Sequence, residues 1–220
     1  MSNVINFGEE VQGYNIKVLN EREIRAAAGI LFLFTLISFL IIIMKGDFTM
    51  FKYVITGFLV DFLIRVFINP KFSPTLILGR LMVRNQTPEY VGAVQKKFSW
   101  YIGVMLAVTM FIHMVVINAF SPITGITCLI CLVFLYFESV FGICLGCKFY
   151  NLFYKEKAQH CPGEVCDVKA RQDIQKTSGV QLMVVVGFIA FIVALTFLVN
   201  DNYSKKPYDI FGIEKTATGK

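Results

Sequence analysis

The sequence predicts an all-α integral membrane protein: a four-helix transmembrane core, a fifth transmembrane helix, and an interfacial or re-entrant helix between spans two and three. Three observations lead there. Hydrophobic residues make up 56% of the 220-residue chain and charged residues only 16%, against roughly 25% charged in a typical globular chain. Mean hydropathy is +0.64 and there are 22 Phe, more apolar surface than a soluble domain of this size can hide. The apolar residues also fall in blocks of about 20, the length that crosses a bilayer as a helix. The same composition excludes a disordered chain and a small secreted disulfide scaffold.

Residues 1–23 are polar, with Glu9, Glu10, Glu21 and Glu23 against Lys17 and Arg22. The membrane core is expected over 24–150. Its first span, 24–44, is too long for a signal-peptide core and lacks a small-residue cleavage site after it, so it reads as retained. A Lys45-Gly46-Asp47 turn leads to a second span over 49–68, which carries Asp61 and Arg65 and ends at Asn69-Pro70. Residues 72–83 are apolar but too short to span, which suits an interfacial or re-entrant helix. A third span over 98–120 has Trp100 and Tyr101 at one end as interfacial anchors. The fourth, over 123–150, is interrupted only by Gly125, Gly142 and Gly146. Residues 151–178 form a polar loop with Cys161 and Cys166, a charge-free fifth span occupies 179–199, and 200–220 is a polar tail.

The 21 basic residues against 15 acidic ones look at first like a nucleic-acid signal. Their placement argues otherwise. With five spans, most of them collect on the side shared by the N-terminal segment, the 69–97 connection and the 151–178 loop. The bias toward the cytoplasm then puts the N-terminus in the cytoplasm and the C-terminus outside it, in a multi-pass protein of a bacterial inner membrane. The positive charge marks topology, and no nucleic-acid partner is expected.

Four ionisable groups lie within spans, where each needs a partner. Asp61 and Arg65 are four residues apart and share a helical face. Counting from the cytoplasmic ends, Asp61 and Glu138 lie at similar depths of about 12–13 Å. Arg65 is therefore expected to bridge both carboxylates and hold spans two and four together, as a buried triad that fixes register or as the ionic shell of a site. His113 is expected to be a hydrogen-bonded core histidine.

The six cysteines form three pairs: Cys128-x-x-Cys131, Cys144-Leu-Gly-Cys147 and Cys161-Pro-Gly-Glu-Val-Cys166. The first pair, among Leu and Ile, reads as small core hydrophobes, with a redox pair near the outer face as the alternative. The second sits at the cytoplasmic end of span four, where water and a partner reach it. A C-x-x-C puts two sulfurs one turn apart, close enough to form a disulfide or share a metal. Its place at the end of a helix counts against thiolate stabilisation, which is strongest at a helix N-terminus; Gly142 and Gly146 are the residues that would break the helix there. In the third pair, Pro-Gly makes a turn that draws the thiols together. The four cytoplasmic thiols admit two chemistries: redox pairs that exchange disulfides or carry sulfur, or a metal site, zinc or an iron–sulfur cluster, pinning the loop to the bundle.

Asn20-Glu21-Arg22 before the first span, the run from Asp61 to Phe67, Pro70-Lys71-Phe72-Ser73-Pro74, and Phe137-Glu138 leading into Phe141-Gly142-Ile143-Cys144-Leu145-Gly146-Cys147 together resemble the bacterial membrane family called domain of unknown function 4395. The resemblance covers about residues 18–152, and the Cys161/Cys166 loop resembles an extension of some members. Association of that family with thioredoxin-like and rhodanese-like proteins implies thiol or sulfur chemistry and a partner of that kind.

The expected function is thus membrane-embedded thiol–disulfide exchange or reduced-sulfur handling at the cytoplasmic edge. Cys144 and Cys147 would react, Cys161 and Cys166 would exchange with them, and Asp61, Arg65 and Glu138 would support them. One alternative is a non-enzymatic membrane subunit of a larger complex, with zinc on Cys144, Cys147, Cys161 and Cys166. Another is a small sulfur-anion or metabolite carrier using Arg65, although no inverted repeat is seen. No nucleotide-binding glycine loop, Ser/His/Asp arrangement or HExxH is present.

Overall fold

The structure, a computed structural model, describes residues 7–12, 16–147, 174 and 176–209. It is mostly helical. In chain order the elements are β1 (Val18–Asn20), α1 (Glu21–Lys45), α2 (Thr49–Leu63), α3 (Pro74–Val83), β2 (Tyr90–Gly92), α4 (Ala93–Phe111), β3 (Ala119–Phe120), α5 (Pro122–Tyr136), α6 (Gly179–Tyr203) and β4 (Tyr208–Asp209). Four described helices are long and apolar enough to cross a membrane: Glu21–Lys45, Ala93–Val116, Pro122–Phe141 and Gly179–Tyr203. Thr49 to Ile68 is also continuously helical, but Lys52, Asp61 and Arg65 interrupt its apolar character.

Local chemistry sets the helix ends. Asn20 caps α1 by accepting the Arg22 N–H, and Gly46 closes it in the left-handed conformation at φ 64°, where glycine pays no steric cost. Ser121 and Thr124 form a capping box at the start of α5, and Ser178 and Gln181 form one at the start of α6. Helices α2, α4 and α5 each finish in a π turn: Ile64–Ile68, Ile112–Val116 and Phe137–Phe141. Such wide turns are uncommon and often accompany functional sites.

The core lies where α1, α2, α4 and α5 meet. Ala27, Ala28 and Leu31 of α1 face Phe51, Ile55, Phe58 and Phe62 of α2, Trp100, Ala107 and Met110 of α4, and Cys128, Leu132 and Leu135 of α5. Outside this core the surface stays apolar: Met105 is 71% exposed and Phe197 85%, as expected where lipid is the solvent. Helix α3 lies along the N-terminal part of α1. Their backbones approach at Gly79, where a β-carbon would come 2.6 Å from the Glu23 carbonyl oxygen.

Several sequence expectations are corrected. The fourth helix does not continue to 150. Its π turn ends at Phe141, and Gly142 turns left-handed at φ 66° with its N–H on the Phe137 carbonyl. Trp100 is not an interfacial anchor: it is 1% exposed, in edge contact with Phe7. Tyr101 is 41% exposed. The polar N-terminal segment contributes a strand, with β1 pairing antiparallel to β2, Leu19 opposite Val91. This ribbon ties the start of α1 to the start of α4.

At the opposite end of the bundle the tail returns, and β4 pairs parallel to β3. Lys52, 1% exposed, donates to Asn118 Oδ1 at 2.7 Å and to the carbonyls of Tyr203 and Lys205 at 3.1 and 2.7 Å. An ammonium thus closes the C-terminal end of α6, where the helix dipole favours a cation. At the other end of α6, Gln181 donates to the Lys71 carbonyl at 3.0 Å.

Candidate functional site

The disulfide turn is built by the break at Gly142. Residues 142–144 leave the helix and a new helical run begins at Leu145. Cys144 therefore stands at the start of a helical turn, where the sequence had suggested the end of one. Cys144 and Cys147 form a disulfide with Cα atoms 5.2 Å apart, and the Cys147 N–H points at Cys144 Sγ, 3.2 Å away. An amide aimed at that sulfur favours negative charge on it once the bond is reduced. Cys147 is buried and Cys144 is half-buried, so Cys144 is the more accessible sulfur. The turn rests on α4 at Gly146, where a β-carbon would come 2.4 Å from Ser99 Oγ; only glycine lets the two segments pack this closely.

Beneath the turn, Lys96 holds two carboxylates. Its Nζ lies 2.8 Å from Glu138 Oε1 in the last π turn and 2.8 Å from Glu21 Oε2 at the start of α1. Lys96 is 1% exposed. Three helix ends converge on this ammonium. Ser99, which carries the disulfide turn, is three residues on from Lys96 and so shares its face of α4.

Asp61 and Arg65 pair as the four-residue spacing implied, with Nε 2.8 Å from Oδ2 and both side chains at most 2% exposed. Their remaining bonds go to the entry of α3. Asp61 Oδ1 accepts from Ser73 Oγ at 2.7 Å and from the Thr75 N–H at 3.0 Å, while Oδ2 accepts from Thr75 Oγ1 at 2.8 Å. Arg65 also donates to Ser73 and Thr75 and lies over the rings of Phe62 and Trp100 at 4.6 and 5.3 Å. The expected bridge from Arg65 to Glu138 is therefore not formed. Arg65 finds its partners along its own helix and the next, and Glu138 turns to Lys96. A third buried pair, Arg80–Glu23 at 3.0 Å, is joined by Asn20 and holds α3 to α1.

Cys128 and Cys131 are free thiols buried in α5 at 3% and 7% exposure. His113 has a buried Nδ1 with no hydrogen-bond partner among the described residues, unlike the satisfied histidine expected. Cys161 and Cys166 lie outside the described residues. Among the described residues no group of three or more His, Cys, Asp or Glu is arranged to hold a metal.

Sequence reasoning missed Lys96, Glu21, Ser73 and Thr75. Lys96 stood beside Lys97 and read as a topological charge, whereas Glu21 read as part of a solvated segment. The available signal for Glu138 was the need for a cation at its own depth on a neighbouring span.

The family model described as Domain of unknown function (DUF4395) matches residues 19–155, more than half of the chain. That segment runs from β1 through the disulfide turn and stops before α6. No curated protein and no solved structure matches the chain.

Proposed function

The chain belongs to the DUF4395 family, and from that premise we propose that it is a multi-pass protein of a bacterial inner membrane that exchanges thiols and disulfides, or handles reduced sulfur, at the cytoplasmic edge. Thr49 to Ile68 is the additional span, its charges each engaged by a partner within the bundle. The excess of basic residues at the β1, α3 and 151–178 end sets that end in the cytoplasm.

The observation that carries this reading is the Cys144–Cys147 disulfide on a turn of its own, with the Cys147 amide on Cys144 Sγ. An incoming thiolate attacks Cys144 Sγ; a mixed disulfide forms, the Cys144–Cys147 bond breaks, and the electron pair leaves on Cys147 Sγ, which takes a proton from water. Cys161 and Cys166 are the exchange partner in the same loop system. The Glu21–Lys96–Glu138 cluster supports the turn by fixing the ends of α1, α4 and α5, and Asp61 with Arg65 fixes α2 to α3.

Thiol counting with a maleimide reagent tests the proposal. Full-length protein, isolated without reductant under trapping conditions, should gain two alkylatable thiols at Cys144 and Cys147 on mild reduction. Cys144→Ser should leave Cys147 free or captured in a mixed disulfide with Cys161 or Cys166. Cys144 and Cys147 that stay fully reduced in every isolate and do not oxidise with a disulfide donor would refute it.

A further inference from the structure

Arg25 has hydrogen-bond donors to spare. It lies three residues after Arg22 on α1, and the two face one groove of about 390 Å³, bounded by α1, the segment after α3 and the last π turn of α5. Arg22 is committed: it donates to Glu89 Oε1 from Nε at 3.0 Å and from Nη2 at 2.6 Å, and to Gln86 Oε1 from Nη1 at 3.1 Å. Glu89 is thereby neutralised within the groove. Arg25 makes one hydrogen bond, from Nη2 to the Val140 carbonyl at 3.2 Å, and no ion pair among the described residues. A guanidinium carries five N–H donors in a fork that matches a carboxylate.

Beside it, Ser139 Oγ makes no hydrogen bond among the described residues. It lies against Gly29 of α1, where a β-carbon would come 2.8 Å away. The groove thus holds a guanidinium with donors left over, whose charge is felt by Glu21 without a close ion pair, and a free hydroxyl, with Ala26 and Val83 as apolar wall.

Through Arg25 the groove reaches the chain break that precedes the disulfide. A β-carbon at Gly142 would come 3.1 Å from Arg25 Nη1 and 3.2 Å from its Cζ, so the guanidinium covers the backbone of the break. Cys144 follows two residues later, its Cα within about 7 Å of that of Gly142.

We propose that this groove binds the carboxylate of a small anionic thiol through Arg25 and Ser139 and presents its sulfur to Cys144. The inference rests on the thiol-exchange reading and names its substrate class. It also locates the anion contact at Arg25, because Arg65 is buried and paired with Asp61 inside the bundle. Two thiols are consumed. The first attacks Cys144 Sγ as described above, and a second attacks the ligand sulfur of the mixed disulfide. A symmetrical disulfide leaves and Cys144 is left reduced; two thiols are oxidised by two electrons as one protein disulfide is reduced.

The test has two arms on the full chain in nanodiscs. In the first, phenylglyoxal labelling of Arg25 is read by peptide mass spectrometry in neutral-lipid discs, with 3-(methylthio)propionate or its uncharged alcohol present. The carboxylate should protect Arg25 and the alcohol should not. No protection, or protection only when phosphatidylglycerol is in the disc, overturns the proposal, the second result marking a lipid-headgroup site.

In the second arm, the disulfide is reduced by 3-mercaptopropionate or by neutral 2-mercaptoethanol at equal thiolate concentration. The anionic thiol should be faster by about tenfold, the value of one charge-assisted contact. Read as the ratio of the anionic to the neutral rate within each variant, the preference should fall to about one in Arg25→Gln and be partly restored in Arg25→Lys. Equal rates in the wild type overturn the anion site and leave thiol exchange standing. A disulfide that neither thiol reduces overturns thiol exchange, and the labelling arm then decides the groove on its own.

Discussion

Lys96 and Glu138 lie 2.8 Å apart, joining the first turn of α4 to the final π turn of α5 just before the chain breaks at Gly142. Glu21 shares the same ammonium, so one cation neutralises part of a two-carboxylate charge at the junction of three helices.

Lys96→Met should leave Glu21 and Glu138 facing each other without the ammonium between them, with only the more distant Arg25 acting on Glu21. Removing one partner from a buried ionic cluster costs about 3–5 kcal/mol. Glu138→Gln keeps the Lys96–Glu21 pair and should cost less. Thermal unfolding midpoints in detergent check the order: Lys96→Met should fall furthest, and equal midpoints for the two variants would show that the cluster carries no such asymmetry.

Asp61→Asn should strand the Arg65 guanidinium inside the bundle, at a cost of about 3–5 kcal/mol. Replacing both, Asp61→Leu with Arg65→Met, removes the stranded charge and should recover much of that loss. A double-mutant cycle of unfolding midpoints measures the coupling. Additive effects would mean that the pair does not act as a unit.

Gly142→Ala places a β-carbon on a left-handed backbone and 3.1 Å from the Arg25 guanidinium. The conformation alone costs about 1–2 kcal/mol, and relief comes by displacing the turn. Oxidation of Cys144 and Cys147 by a disulfide donor should slow in this variant, as followed by maleimide gel shift. Gly125→Ala, at an open position with ordinary φ, should leave the rate unchanged.

Lys52→Met should free the Tyr203 and Lys205 carbonyls and Asn118 at the tail. Each buried acceptor left without a donor costs about 1–3 kcal/mol. Hydrogen exchange over residues 200–209 should accelerate while α1 and α4 stay protected. Unchanged exchange in the tail would remove Lys52 from its anchoring role.

The apolar blocks made the long helices legible because hydropathy integrates over about 20 residues and tolerates errors at the ends. The Asp61–Arg65 pair was legible because spacing along one helix fixes a shared face. Partners across helices were not. Depth placed Asp61 and Glu138 at similar heights, with Arg65 expected to reach both, but depth says nothing of rotation about the bundle axis, and Glu138 turns to Lys96 instead. The glycine marked the break at Gly142, but hydropathy did not, since Phe141, Ile143 and Leu145 keep it high across the break and draw the span on toward 150. Strands of two or three residues carry no periodicity to read.

Lys52 ties the family-matched portion of the chain to a helix beyond it. A relative that ends after the disulfide turn would have no α6 carbonyls for this ammonium to meet, and a lone ammonium there would be costly. The residue at position 52 should therefore vary with the appendage: cationic where a sixth helix docks, apolar or hydroxylic where none does. A single side chain would then serve as a signature of chain architecture, readable across relatives before any of their structures is in hand.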